Sequence, residues 1–145
     1  MERTKVLLLG EDPLFREAIE HVLSAEPDLA VVAACRSGAE AWTILEREPV
    51  ELALLDIDGC LEGAFELLAK CRASRCAAKI LVLTQGLSPA LTVRALQLGV
   101  AGIFVKGRGL SALLNALRVV ITGEAWLEPE AIRLLAESVR ASSTE

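Results

Sequence analysis

The sequence is poor in histidine, the usual partner of cysteine in zinc sites, and in aromatic residues. Its 145 residues include one His, no Tyr, three Phe and two Trp. The four cysteines, Cys35, Cys60, Cys71 and Cys76, form no C-x-x-C pair. A zinc site is therefore not expected, and free thiols in a reducing compartment are. Because hydrophobic residues make up 53% and aromatics only 3%, the core is expected to consist of aliphatic side chains.

Positive charge and long apolar runs are also scarce. There are 15 Lys and Arg against 20 Asp and Glu, a net charge of -5. This negative net charge predicts that the segment does not bind nucleic acid through electrostatic attraction alone. No apolar run approaches the roughly 18 residues of a membrane span, and the charged start, residues 1–5, is unlike a signal peptide. We expect one cytoplasmic domain without membrane contact.

The most informative stretch is residues 50–58, Val-Glu-Leu-Ala-Leu-Leu-Asp-Ile-Asp. Four apolar residues, 52–55, run directly into Asp56 and then Asp58. A short apolar run of this kind predicts a strand buried on both faces. Because the chemistry of parallel α/β sheets lies at the carboxyl ends of their strands, Asp56 is predicted to be a functional carboxylate.

The rest of the chain alternates short strands with helices. The predicted strands are 5–9, 29–34, the strand that ends at 56, 79–84 and 100–105. The predicted helices are 13–25, 37–47, 64–72, 89–98, 110–122 and 128–140, before a disordered tail at 141–145. Five such alternations with short connections predict a parallel sheet, wound right-handed and covered by helices on both faces.

Polar residues recur where the predicted strands end. Glu11 and Asp12 follow the first strand, Asp56 ends the third, Thr84 the fourth and Lys106 the fifth. These residues should converge on one edge of the sheet. Carboxylates, a hydroxyl and an ammonium together suit phosphoryl chemistry, with Lys106 pairing with one phosphoryl oxygen and Thr84 donating a hydrogen bond to another.

Asp56 is the predicted nucleophile, since a carboxylate can form an acyl phosphate. Mg²⁺ takes one or two carboxylates and keeps several waters. The predicted ligands are Glu11, Asp56 and the backbone carbonyl of Asp58, and Asp12 is a further candidate.

With these motifs the chain resembles the receiver domain of two-component response regulators, in particular the NarL/FixJ class, over residues 5–135. The stretch 12–17 (Asp-Pro-Leu-Phe-Arg-Glu) is similar to the opening of the first helix of that class. Leu-Leu-Asp-Ile-Asp resembles its acceptor strand, and Val-Leu-Thr the end of its fourth strand. Residues 99–106, Gly-Val-Ala-Gly-Ile-Phe-Val-Lys, resemble the segment that carries the family lysine.

The resemblance implies a flavodoxin-like, doubly wound, five-stranded parallel sheet with strand order 2-1-3-4-5 and an extra C-terminal helix. It implies a receiver domain at 1–124 and a linker helix and tail at 125–145. Asp56 would accept a phosphoryl group from the phosphohistidine of a sensor histidine kinase. The acyl phosphate would then shift a two-state equilibrium at the fourth helix, fifth strand and fifth helix. The switch position of the family falls on Ile103, with Phe104 one place later and expected on the opposite face of the strand.

The chain also departs from the family pattern. Gly10 and Glu11 stand where the family has two adjacent acids, Gln85 replaces a small residue after the threonine, and Ile103 replaces an aromatic. These departures support an alternative, a receiver-like interaction module that works without phosphate. A second alternative is a phosphatase, because residues 54–59, Leu-Leu-Asp-Ile-Asp-Gly, also resemble the first motif of the haloacid-dehalogenase type. That resemblance would make Asp56 the nucleophile and Asp58 the general acid, although the motif normally lies on the first strand of the chain.

The predicted helix 110–122 has an unusually narrow polar stripe, formed by Ser111, Asn115, Arg118 and Thr122. Either the last helix covers its apolar residues, or they form a homodimer surface; both readings stay open. No helix-turn-helix follows. If the parent protein continues into a DNA-binding domain, the expected role is transcription control.

Overall fold

The computed structural model describes residues 2–86 and 88–143, which form a parallel sheet between two layers of helices. The strands are β1 (Thr4–Leu9), β2 (Leu29–Cys35), β3 (Leu52–Asp56), β4 (Lys79–Thr84), β5 (Gly102–Val105) and β6 (Trp126–Leu127). The helices are α1 (Pro13–Ser24), α2 (Gly38–Arg47), α3 (Leu61–Ala73), α4 (Pro89–Gln97), α5 (Leu110–Ile121) and α6 (Pro129–Ser143), with a 3₁₀ turn at Lys106–Arg108.

The sheet order is β2-β1-β3-β4-β5-β6, and every neighbouring pair is parallel. This confirms the flavodoxin-like fold and the order 2-1-3-4-5. The sixth strand was not predicted, because two residues are too short for any periodicity to show. Gly102 makes this pairing possible, since a Cβ built there would lie 2.6 Å from the carbonyl oxygen of Trp126.

Side-chain alternation along the strands divides the core in two. Leu7 and Leu9 of β1 face a cluster that includes Phe65 of α3, whereas Val6 and Leu8 face a cluster with α1 and α5. All of β3 is buried, as the run of four apolar residues predicts. The end of β3 is thereby fixed from both sides, which holds Asp56 at the carboxyl edge of the sheet.

Two predicted helix boundaries are wrong. α3 begins at Leu61, three residues before the predicted start, which leaves a short loop after Asp56. α6 continues through Ser143, so the predicted disorder is wrong for 141–143, while Thr144 and Glu145 lie outside the described residues. In the part of the chain that is described, no helix has the length and apolar character of a membrane span.

α6 packs mainly against α4, so of the two readings left open for α5, the one in which the last helix covers it is wrong. Ala131 and Leu134 provide its buried contacts, while Ile132 and Val139 are exposed. The apolar residues of α5 are covered by the sheet instead, with Leu113, Ala116, Leu117 and Val120 buried in the core beside α1.

A buried carboxylate anchors the start of α6. Glu128 is 3% exposed, and its Oε2 lies 2.7 Å from Nη2 of Arg108, in the turn that follows Lys106. Its Oε1 is buried without a hydrogen-bond partner. The ion pair therefore links the loop beside the site to the C-terminal helix.

Replacing Arg108 with Ala is expected to destabilise the protein by about 1 kcal/mol, because a buried carboxylate loses its cation; the exposure of Arg108 keeps the effect modest. Urea unfolding would measure it, and hydrogen exchange should show faster opening of α6. Arg133→Ala is the matched control, since Arg133 pairs with Glu130 and Glu137 on the surface of the same helix. Equal losses from both variants would contradict the role of the buried pair.

Candidate functional site

The structure brings together most of the strand-end residues that the sequence singles out. Nζ of Lys106 lies 2.7 Å from Oδ1 of Asp56 and 2.9 Å from Oδ2 of Asp58. Thr84 joins them through its hydroxyl, which lies 3.0 Å from Oδ1 of Asp58. β3, β4 and β5 are adjacent in register, with Asp56 paired to Leu83 and Thr84 to Val105. This register places the three strand ends at one edge.

Asp56 is the most enclosed of these groups, at 1% exposure. Its Oδ1 accepts hydrogen bonds from Lys106 and from the backbone N–H of Asp58, at 3.0 Å. Its Oδ2 is buried and has no hydrogen-bond partner. Burial raises the pKa of the Asp56 carboxyl, and the hydrogen bond from Lys106 offsets this only in part. One oxygen is thus held by an ammonium, while the other keeps its lone pairs free.

Lys106 is held from three sides. Besides the two carboxylates, its Nζ lies 4.2 Å from the centroid of the Phe15 ring, a cation–π contact with α1. Burial disfavours the ammonium, but hydrogen bonds to Asp56 and Asp58 outweigh it, so the pKa of Lys106 lies above its usual value. The side chain is therefore a fixed positive charge directed at Asp56.

The carboxylate of Asp58 is the feature that the sequence did not predict. Its Oδ1 accepts from the Thr84 hydroxyl, and its Oδ2 accepts from the backbone N–H of Gln85 at 2.9 Å and from Lys106. The Thr84 hydroxyl has a second acceptor in the carbonyl of Gly86, at 3.1 Å. The sequence indicated the backbone carbonyl of Asp58 as a metal ligand and, in the phosphatase alternative, its carboxylate as a general acid. It did not indicate these contacts with Thr84, Gln85 and Lys106, since the direction of a loop side chain has no periodic signal.

The end of β1 is organised by a buried arginine. Arg16 is 7% exposed, and its Nη1 donates to the carbonyl oxygen of Gly10 at 2.6 Å and to that of Glu11 at 3.4 Å. Asp12 caps α1, with its Oδ1 accepting from the N–H of Leu14 at 3.1 Å. The carboxylate of Asp12 therefore serves the helix.

The residues beside Asp56 fit Mg²⁺ by the chemistry of their oxygens. The free Oδ2 of Asp56 faces Gly10, because it lies 3.8 Å from a Cβ built on that glycine. The Glu11 carboxylate reaches the loop after Asp58, with Oε2 3.5 Å from a Cβ built on Gly59. Mg²⁺ needs only one or two carboxylates beside its waters. No ready cluster of three or more His, Cys, Asp or Glu side chains occurs within residues 2–86 and 88–143.

The two candidate switch residues of β5 point into different cores. Ile103 belongs to the cluster shared with α3 and α4, and Phe104 to the cluster shared with α1 and α5. Both are 2% exposed. The sequence predicted this alternation, which follows from the period of two along a strand.

Comparison with known proteins identifies the family. The family model of the response regulator receiver domain matches residues 6–118. The nitrate/nitrite response regulator NarL of Escherichia coli K12 is 28% identical over 141 residues, covering 97% of this chain and 65% of NarL. The response regulator GacA of Pseudomonas syringae is 29% identical, covering 91% of this chain and 62% of GacA. The chain thus spans less than two thirds of either relative.

Solved structures agree in fold. The signal receiver domain of a NarL response regulator from Mycobacterium tuberculosis has a TM-score of 0.78 and 26% identity, covering 86% of this chain and all of that one. A LuxR-family two-component response regulator from Aurantimonas has a TM-score of 0.81 at 23% identity, covering 94% and 98%. A structure of two RcsB dimers bound to two parallel DNAs has a TM-score of 0.78 at 19% identity, covering 93% and 69%.

Receiver domains are in general signalling domains rather than enzymes; they interact with histidine kinases and generally bind Mg²⁺ for phosphorylation. The fold, the strand-end residues and the matched family model agree. This chain belongs to the receiver domain family of two-component response regulators, of the NarL/LuxR type.

Proposed function

We propose that Asp56 is the phosphoryl acceptor of this receiver and takes its phosphoryl group from the phosphohistidine of a sensor histidine kinase. One observation carries the proposal: a carboxylate that is 1% exposed lies at the carboxyl edge of the sheet, with an ammonium at 2.7 Å and one oxygen unpaired. A buried carboxylate that is only partly compensated is a common mark of a functional group.

In the proposed step, a carboxylate oxygen of Asp56 attacks the phosphorus of the phosphohistidine. The new O–P bond gives an acyl phosphate, the P–N bond breaks, and the imidazole nitrogen of the kinase keeps the electron pair. Lys106 neutralises charge on the transferred group, and Thr84 donates a hydrogen bond to one of its oxygens. Oδ1 of Asp56 is the better nucleophile candidate, since it lies on the Lys106 side.

Mg²⁺ would be held on the other side of Asp56, by Oδ2, Glu11 and the backbone carbonyl of Asp58. Bound there, it would neutralise the phosphoryl oxygens. Glu11 is one methylene longer than Asp and can reach across the gap that Gly10 leaves. Asp12 is a weaker candidate because its carboxylate already caps α1.

The proposed output is a shift at α4, β5 and α5, with Ile103 and Phe104 as the switch residues, that changes homodimer formation. α5 suits this role because its Ser111 and Asn115 remain exposed and α6 packs mainly against α4. RcsB, to which the chain is similar, forms dimers on DNA. In a parent protein with a DNA-binding domain after a linker at 125–145, the switch would control transcription, in the cytoplasm where the kinase finds ATP.

Intact mass spectrometry tests the proposal. Incubation with Mg²⁺ and a small acyl-phosphate donor is expected to add the mass of one phosphoryl group to the wild-type chain and none to Asp56→Ala. Chelating Mg²⁺ should abolish most of the gain, because the transferred oxygens lose their divalent counter-charge. Glu62→Gln, a carboxylate change on the exposed first turn of α3, should be phosphorylated as the wild type is.

The proposal would be contradicted if folded wild-type protein showed no phosphoryl mass increase with any of several donors. The phosphate-independent interaction module would then be the better reading, and Gly10 in place of a family acid is the observation that favours it. The phosphatase alternative is not supported, because the strand that carries Asp56, β3, is the third strand along the chain, whereas the phosphatase motif normally lies on the first.

A further inference from the structure

Three donors that a phosphoryl group would need are already bonded to one carboxylate. We define the anion pocket as the Thr84 hydroxyl, the backbone N–H of Gln85 and Nζ of Lys106. Both carboxylate oxygens of Asp58 lie in this pocket. Oδ1 is 3.0 Å from the Thr84 hydroxyl, and Oδ2 is 2.9 Å from the Gln85 nitrogen and 2.9 Å from Nζ of Lys106. An ammonium, a hydroxyl and a backbone N–H form a site for an anion, and phosphoryl oxygens and carboxylate oxygens satisfy it in the same way.

The local backbone brings Asp58 to this position. The N–H of Ile57 donates to the carbonyl of Leu83 at 3.1 Å, so the chain continues alongside β4 for one residue beyond β3. Asp58 then lies opposite the end of β4, beside Thr84 and Gln85. Gly59, with a φ of +89°, turns the chain away towards α3. A side chain at residue 58 is therefore directed at the anion pocket by the fold itself.

We propose that the Asp58 carboxylate is a built-in occupant of the anion pocket, and that it must leave before a phosphoryl group can bind there. This inference rests on the proposed function of Asp56. It assigns Asp58 a positioning role, in which the side chain competes with the incoming group and sets the rate of phosphorylation. The same contacts hold Thr84 and Lys106 in an anion-bound arrangement before any phosphate arrives.

Departure of the Asp58 side chain is physically accessible. The side chain is 33% exposed, so it can rotate into water without unfolding the core. Thr84 keeps the carbonyl of Gly86 as an acceptor, and Lys106 keeps Asp56. The barrier is the loss of the contacts in the anion pocket, which a phosphoryl group restores once it is bound.

The test compares phosphorylation rates of Asp58→Asn, Asp58→Ala and wild-type protein with Mg²⁺ and a small acyl-phosphate donor, followed by intact mass. Asn keeps the size of Asp and removes its charge, whereas Ala empties the anion pocket. We expect Asp58→Ala to be phosphorylated about tenfold faster than wild type, because the three contacts of the Asp58 carboxylate, whose net strength is reduced by exchange with water, no longer compete with the phosphoryl group. Asp58→Asn should lie between them. Glu62→Gln is the control for the change in net charge and should match wild type.

A second readout does not depend on phosphorylation. Titration with inorganic phosphate should give a saturable rise in the melting temperature of Asp58→Ala, because a ligand that binds only the folded state stabilises it. Wild-type protein should show no saturable rise, and adding Lys106→Met to Asp58→Ala should remove it.

The outcomes separate the inference from the function beneath it. If wild type is phosphorylated and the Asp58 variants are no faster, the inference is overturned and the proposed function stands. If no form is phosphorylated, the proposed function fails and the phosphate titration decides: a saturable rise confined to Asp58→Ala supports the occupied pocket, and its absence overturns it.

Discussion

Replacing Lys106 with Met is expected to lower the free energy of unfolding by about 3 kcal/mol, as the removal of one partner from a buried ion pair does. Met keeps much of the length and the contact with Phe15, so the change removes mainly the charge. Asp56 is 1% exposed and would be left without its cation. Asp58, whose nearby negative charge already raises the pKa of Asp56, would add to the cost.

The loss should depend on pH in a defined direction. Without Lys106, the pKa of Asp56 rises further above its value in the unfolded chain, because burial and Asp58 both disfavour the ionised form. The folded state then binds the proton more tightly than the unfolded state. Stability of the variant is accordingly higher below the folded-state pKa and falls as pH rises through it. Urea unfolding near pH 5 and near pH 8 would therefore show that Lys106→Met loses less unfolding free energy, relative to wild type, at the lower pH.

Two further variants isolate the charge. Lys70→Met on the exposed face of α3 should change stability by no more than about 0.5 kcal/mol. Asp56→Asn combined with Lys106→Met should be more stable than Lys106→Met alone, by roughly 2 kcal/mol, since the uncompensated carboxylate is gone. A double variant as unstable as the single one would mean that lost packing, and not the unpaired carboxylate, causes the deficit.

The strand-end residues were predictable because parallel strands share one end. Once 50–58 is identified as a buried strand, the alternation places Thr84 and Lys106 at the same edge of the sheet as Asp56, and the strand order implied by the family resemblance makes them its neighbours. The period of two likewise placed Ile103 and Phe104 on opposite faces. The carboxylate of Asp58 was not predictable in this way. Its direction depends on one hydrogen bond beyond β3 and on the turn at Gly59, which no periodic pattern records.

The C-terminal segment shows the same limit. The apolar periodicity of residues 128–140 predicts a helix with a buried side, and α6 is there. Which helix α6 packs against depends on the path of the preceding segment. That segment forms β6 beside β5, where Gly102 lacks the Cβ that would clash with β6. Glu128 then fixes the first turn through Arg108. The sequence shows Gly102, Arg108 and Glu128, but it does not show that Gly102 lies against β6 or that the two charged residues pair with each other.

A close backbone contact between α2 and α3 leads to the second large effect. A Cβ built on Gly38 would lie 2.4 Å from the carbonyl oxygen of Gly63 and 3.0 Å from its carbonyl carbon. Both obstacles are backbone atoms, so no side-chain rotation can relieve the clash. Gly38→Ala must push the two helices apart, and we expect it to cost about 3 kcal/mol, at the upper end for overpacking. Urea unfolding of the variant and wild type would measure the loss.

The functional consequence follows from the position of Gly63. It lies in the first turn of α3, immediately after the loop that carries Asp58 and Gly59, so displacement of this turn should also disturb the anion pocket. Gly63→Ala is the matched control on the same contact, because its Cβ would lie an ordinary 3.7 Å from the nitrogen of Gly38. It should be neutral or stabilising by up to about 1 kcal/mol, from the better helix propensity of Ala. Equal changes in unfolding free energy for Gly38→Ala and Gly63→Ala would contradict the prediction that the close approach of α2 and α3 causes the loss.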